Sequence, residues 1–207
     1  MELKDYSQLN ADQLDALREI GNIGSGNAAS ALSSMLEKPV NIAVPKIKVL
    51  EYNDVVEQLG GAESLFVGLL FSLTGDVTGM MMFLLHKELA HMILNDLMGS
   101  SFDERAELDE DSRSAIMEVG NIMAASYANA MASLTDLAVH ISVPSLCVDM
   151  VGSILSVPAI YYANISDKII FIEDEFNQQA DRAASHLLLI PEVEGLRKIM
   201  QSLGLDE

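Results

Sequence analysis

An internal repeat constrains this chain more than any other feature. Shifted by 99 positions, the sequence falls on itself without a gap: Leu9 on Leu108, Asp12 on Asp111, Glu19 on Glu118, Gly21 on Gly120, Asn22 on Asn121 and Ile23 on Ile122. The match continues through Ala31/Ala130 and Ser34/Ser133 to Val40/Val139, Ile42/Ile141 and Val44-Pro45/Val143-Pro144. Two unrelated amphipathic helices share Ala, Ile and Leu through composition alone. They do not also share Glu-x-Gly-Asn and Val-Pro in one register. Farther on, the register slips by about six residues, so that Phe66 meets Phe171 and the segment Met80–Leu85 resembles His186–Ile190. These matches define two copies, about 9–100 and 108–204, with an insertion near residues 150–160 of the second. No linker rich in Pro, Gly or Ser parts them, so residues 1–207 are expected to form a single domain with internal pseudo-two-fold symmetry.

Each copy reads as one α-β-(α)-β-β-α unit. A long helix is expected over residues 10–36 and again over 109–135, because Leu17, Ile20, Ile23, Gly24, Ala28, Ala31 and Met35 recur at helical spacing. Strands follow at 40–51 and 138–148, where Val40-Asn41-Ile42-Ala43-Val44 alternates. After a short helical connection come strands at 64–74 and 78–86, then at 168–174 and 183–190. Thr74-Gly75-Asp76 is the expected hairpin turn of the first pair. A last helix closes each copy at 87–98 and 191–203, with Pro191 in its first turn. The fold class is therefore α/β, with two long helices on one face of a sheet.

Half the residues are hydrophobic, enough for a sizeable core. Lys plus Arg number 12 against 31 Asp plus Glu, a net charge of −19 that argues against nucleic acid or anionic lipid as the partner. The single cysteine, Cys147, rules out a disulfide framework and suits a reducing cytoplasm. The opening MELKDYSQLN lacks the apolar stretch of a signal peptide. The longest strongly apolar run, Leu65 to Leu73, is far short of the roughly 20 residues of a membrane span. A cytoplasmic protein with no membrane insertion is expected.

The duplicated helix carries the chemistry. Asp15, Glu19, Asn22 and Gly26 have offsets that place them within one narrow stripe at about 100° per residue, and Leu17, Ile20, Ala28, Ala31 and Met35 centre on the opposite side. Ser114, Glu118, Asn121 and Ala125 repeat the stripe, backed by Ile116, Val119, Met123, Ala130 and Leu134. A merely solvated face would also be polar. However, Asn is a mediocre helix former, and Gly21, Gly24 and Gly26 each cost up to about 1 kcal/mol against Ala. A carboxylate and a carboxamide beside a small-residue floor, repeated at that cost, read as a docking surface with chemistry.

Other chemistries find less support. Gly21-Asn-Ile-Gly-Ser-Gly follows no expected strand and leads to no Gly-Lys-Ser/Thr, so it is not a phosphate loop. His86, His91, His140 and His186 show no metal-binding motif and no ligand-like clustering; His86 is expected at a strand end and His91 on a helix surface. Cys147 and Met80-Met81-Met82 read as core. The acidic run Glu104, Glu107, Asp109, Glu110 and Asp111 suits a helix N-terminus better than a metal site.

The pattern Asp/Ser-x3-Glu-x2-Asn-x3-Gly/Ala, present twice, resembles that of the CheC family of bacterial chemotaxis proteins, and the resemblance extends over essentially the whole chain. Ser114 for Asp15 and Ala125 for Gly26 are its departures in the second copy. The resemblance implies a phosphatase acting on the aspartyl phosphate of the response regulator CheY. The receiver would bring its own Mg²⁺, so no cofactor or metal ligand is expected in this chain. Asn22 and Asn121 would hold the attacking water, and Glu19 and Glu118 would pair with the receiver's active-site lysine. Asp15, Gly26, Ser114 and Ala125 would serve docking. The resemblance also implies an alternative, an adaptor binding the receptor deamidase CheD or a flagellar-switch component. Asp149, a lone acid where the insertion starts, is a candidate CheD contact; a helix cap is the other reading of it.

Overall fold

The computed structural model describes residues 6–103, 107–162, 168–178 and 181–205. In the first copy α1 spans Ala11–Leu36, β1 Asn41–Ile42, β2 Lys46–Glu51, α2 Tyr52–Gln58, β3 Leu65–Gly75, β4 Gly79–Leu85 and α3 Lys87–Met98. The second repeats the order with α4 Glu110–Thr135, β5 Val139–Ile141, β6 Ser145–Met150, α5 Val151–Tyr162, β7 Lys168–Gln178, β8 Asp181–Pro191 and α6 Val193–Ser202. The two long helices have 26 residues each and lie within a residue of their expected ends.

Both long helices start and stop by the same devices. Asn10 caps α1 by accepting the Gln13 N–H, while Gln13 accepts the Asn10 N–H and donates from its amide to the Leu205 carbonyl. Asp109 caps α4 by accepting the Ser112 N–H at 2.7 Å, a bond that holds its carboxyl below the usual range. Glu110 and Asp111 follow in the first turn, so this end of the acidic run serves the helix N-terminus; Glu104 lies outside the described residues. At the other ends Glu37 and Asp136, themselves 99 positions apart, take left-handed conformations with φ of 53° and 55°.

The strands form one antiparallel sheet, ordered β1-β7-β8-β4-β3-β5, with β2 also on β7 and β6 also on β3. Exchanging the copies reads that order backwards, which is the pseudo-two-fold. The edges are swapped: β2 of the first copy lies on β7 of the second, and β6 of the second lies on β3 of the first. Neither copy closes its own sheet. Glu51 pairs with Lys168 and Met150 with Leu65, so Leu65 and Lys168, 103 positions apart, are equivalent. Between β3 and β7 the register therefore slips by four residues, so Phe66 and Phe171 are not equivalent; it slips further toward the last helices, where the caps His86 and Glu192 are 106 positions apart. The insertion lengthens α5 to 12 residues against 7 in α2.

Helices cover both faces. One core packs α1, α3, α4 and α6 through residues such as Leu17, Ile20, Ile116 and Leu196 against Phe71, Phe83 and Leu187. The other packs Val55 of α2 and Ile154 of α5 against Met80, Met82 and Leu188. Met80, Met81 and Met82 are all buried, as their strand pattern suggested.

Several local expectations are corrected. The strands expected at 40–51 and 138–148 each break in two, at Ala43–Pro45 and Ser142–Pro144. Pro45 and Pro144 have no N–H to give to a ladder. Thr74 and Gly75 belong to β3, because they pair with His140 and Val139, and the turn is Asp76-Val77-Thr78. Pro191 ends β8 instead of opening α6; it sits opposite Gly79, and its carbonyl accepts from the Tyr6 hydroxyl. Cys147 is exposed on the edge strand β6, opposite Gly68, which has no side chain to cover it. The histidines do cluster in part: His86 and His186 meet with Nε2 atoms 3.0 Å apart.

Candidate functional site

The backs of both long helices are buried. Leu17, Ile20 and Ala28 on α1, and Ile116, Val119, Met123 and Ala130 on α4, are almost fully enclosed. That leaves the opposite stripes facing out. Asp15, Glu19, Asn22 and Gly26 are all exposed; Ser114 and Glu118 are exposed, and Asn121 and Ala125 half-buried. In each copy the Glu and Asn are three residues apart, so their Cβ atoms are neighbours at about 5–6 Å on one helix surface.

The glycines divide by role. The Gly inside Glu-x-Gly-Asn brings the helix down onto the sheet: a Cβ on Gly21 would meet Ile47 Cδ1 at 2.3 Å, and one on Gly120 would meet Leu69 Cδ1 at 2.5 Å. Gly24 lies against the Tyr127 ring, whose nearest carbon would be 2.6 Å from an added Cβ. Two of the three glycines taken as the cost of a docking surface are therefore packing devices. Of the three, Gly26 alone has open space above it, with nothing within 4 Å.

Beneath the stripes, a buried polar cluster ties the helices to the sheet. Ser25 of α1 donates to Asp174 Oδ1 at 2.6 Å, Tyr127 of α4 donates to Asp174 Oδ2 at 2.6 Å, and the two hydroxyls are 2.7 Å apart. Asp174 stands on β7, where the 103-residue offset puts Phe71 in the first copy. Burial raises the Asp174 carboxyl above its usual range and drives the Tyr127 hydroxyl well upward, with Asp174 adding to the latter. The result is a rigid seat for both stripes, three residues from Asn22 and six from Asn121.

The two stripes differ in detail. In the first, Arg18 pairs with Asp15. In the second, Met117 and Ser114 occupy those positions, and the stripe opens on a cleft of about 620 Å³ lined by Ser114, Met117, Glu118, Asn121, Val143 and Pro144. Arg113 also lines it and donates to the Leu146 carbonyl at 3.3 Å. The cleft wall from the β5–β6 turn was not read as part of a site, although its Val-Pro was the plainest identity outside the helix. Asp149 lies elsewhere, exposed on β6, and accepts the N–H of Met150 at 2.7 Å. It fixes the corner one position ahead of where a cap of α5 would sit. Among the described residues, no group of three or more His, Cys, Asp or Glu is placed to hold a metal.

The model of the CheC-like family matches residues 13–49 and 112–148, two segments 99 positions apart that contain both stripes. The chain is 32% identical over 205 residues to the CheY-P phosphatase CheC of Bacillus subtilis, covering 96% of this chain and 97% of that relative. It is 28% identical over 145 residues to the flagellar motor switch phosphatase FliY of the same organism, covering 69% of this chain but 37% of the relative. The crystal structure of Thermotoga maritima FliY superposes with a TM-score of 0.75 at 23% identity, over 97% of this chain and all of that one, and so shares the fold. The chain belongs to the CheC-like family.

Proposed function

We propose that this chain is a phosphatase for the aspartyl phosphate of a CheY receiver. The observation that carries the reading is the Glu–Asn pair, displayed outward on both 26-residue helices over a rigid seat. A pure scaffold needs no such pair twice. The Asn carboxamide oxygen of residue 22 or 121 accepts a hydrogen bond from a water and points its lone pair at the phosphorus, in line with the scissile P–O bond. As the water oxygen bonds to phosphorus, the bond to the aspartyl oxygen breaks. Aspartate leaves as the carboxylate, inorganic phosphate is released, and the water proton passes to phosphate or solvent. Glu19 or Glu118 fixes the register by pairing with the receiver's lysine. Asp15, Gly26, Ser114 and Ala125 shape the docking surface. The metal that neutralises the phosphoryl group is the receiver's own Mg²⁺.

Two finer readings belong to the same proposal. The place of work is the cytoplasm, where receivers act; among the described residues no helix is long and apolar enough to cross a membrane. A CheD-type deamidase is the second partner, contacting Asp149 where it borders the exposed apolar side chains Met150 and Val157. The test of the main reading is phosphate release from phosphorylated CheY on adding the purified protein. Release no faster than the receiver's own hydrolysis contradicts it. A pull-down in which folded Asp149→Lys retains CheD as wild type does contradicts the contact.

A further inference from the structure

The fold leaves one large apolar side chain standing in solvent in each break between the edge strands. Val44 is 82% exposed and Val143 is 79% exposed. They are equivalent by the 99-residue repeat, and each fills the break between two edge strands, β1 and β2 or β5 and β6. An isolated exposed valine needs no explanation. A pair kept at one place of a pseudo-symmetric fold, one of them in the cleft of a Glu–Asn stripe, asks for one.

Both turns are held rigid. The Ala43 N–H donates to the Glu175 carbonyl of β7 at 3.0 Å. In the other copy the Ser142 N–H donates to the Ser72 carbonyl of β3 at 3.0 Å, and the Ser142 hydroxyl accepts the Ser72 N–H at 2.9 Å. Glu175 and Ser72 are themselves equivalent, 103 positions apart. Each valine precedes a proline, which restricts its backbone to extended conformations, and its β-branch limits χ1. The knob therefore loses little conformational freedom on being buried. In the second copy Val143 and Pro144 line the same cleft as Glu118 and Asn121, so whatever enters to meet the Asn passes the valine.

We infer that Val44 and Val143 are the apolar docking knobs of the two sites, each burying itself against the surface of the incoming receiver beside the phosphorylated aspartate. The inference rests on the proposed function for its occupant, because in the second copy the knob and the Glu–Asn pair share one cleft, and it extends to Val44 by the 99-residue equivalence. The polar pair supplies register and chemistry. The valine supplies affinity that does not change along the reaction, and so acts on binding more than on turnover.

The test is a double variant, Val44→Ser with Val143→Ser, beside the shape-keeping Val44→Thr with Val143→Thr. Binding is read by fluorescence anisotropy with labelled CheY activated by beryllofluoride, a stable phosphoryl mimic, and turnover by phosphate release. The Ser pair should weaken binding about tenfold and raise KM by a like factor, with kcat within about twofold, and the Thr pair should lie between. Both should unfold at the wild-type urea midpoint, because the side chains are exposed. Unchanged binding in both pairs overturns the inference. A fall in kcat with binding intact also overturns it. The double variant Asn22→Ala with Asn121→Ala, assayed alongside, separates the two readings. If it retains wild-type turnover while the valine variants bind weakly, the phosphatase mechanism fails and the docking knobs stand.

Discussion

Mild acid should destabilise this fold through one histidine pair. His86 follows β4 and His186 lies on β8, in register with Glu173 of β7. Their Nε2 atoms are 3.0 Å apart, Phe171 stacks on His186 at 5.1 Å, and Phe66 meets His86 edge-on at 4.5 Å. Only one proton fits between the two nitrogens. Burial, and then the charge of His86, push His186 down to about 4, and burial lowers His86 as well. Glu173 pulls His186 the other way without reversing it. In the unfolded chain an imidazole titrates near 6.5. The stability held by the neutral His186 is therefore complete above about pH 6.5 and drains as pH falls toward 4. The full span is worth about 3 kcal/mol, of which about 2 kcal/mol is gone by pH 5. Against a total of about 5–15 kcal/mol, that is a large share. Urea unfolding of wild type and His186→Leu at pH 7.5 and pH 5.0 measures it. Wild type should lose about 2 kcal/mol more than the variant over that interval, with equal m-values. Parallel losses in the two proteins would refute the reasoning.

Other perturbations test the seat of the stripes. Gly24→Ala gains about 1 kcal/mol of helix propensity but drives a methyl into the anchored Tyr127 ring, so a net loss of about 1–2 kcal/mol is expected. Gly26→Ala meets nothing and should raise the thermal midpoint; calorimetry of the two variants should give opposite signs. Tyr127→Phe removes a hydroxyl donated to fully buried Asp174 and should cost about 2 kcal/mol in chemical denaturation. Glu37→Gly and Asp136→Gly relieve left-handed backbones at the ends of α1 and α4, and each should stabilise by about 0.5–1 kcal/mol in the same assay.

The helical half of the fold was legible because helices are local. The acidic run through Asp109 marks the start of α4, and the apolar spacing sets the extent of α1 and α4 to within a residue. The repeated Glu-x-Gly-Asn marked the outward pair for the same reason. The sheet was legible only in part. Its central strands show as apolar runs, but nothing local says that β2 lies on β7 of the other copy, or that the offset from β3 to β7 is 103. His86 and His186 are 100 residues apart, and only the β4–β8 pairing brings them together. The packing role of Gly24 is not legible locally, because Tyr127, which needs its missing side chain, sits on the other helix. Pro45 and Pro144 were in plain view as identities. Their meaning as strand breaks, and so the exposure of Val44 and Val143, follows from the donor they lack.

The central claim is that either Asn positions the attacking water and that the two sites work independently. Phosphate release from phosphorylated CheY, measured with wild type, Asn22→Ala, Asn121→Ala and the double variant, tests it most directly. Each single variant should keep part of the activity, since the other stripe is intact. The double variant should fall close to the receiver's own hydrolysis rate while still binding beryllofluoride-activated CheY and unfolding at the wild-type midpoint, because what it loses is transition-state positioning. A folded double variant that dephosphorylates CheY as fast as wild type would contradict the account.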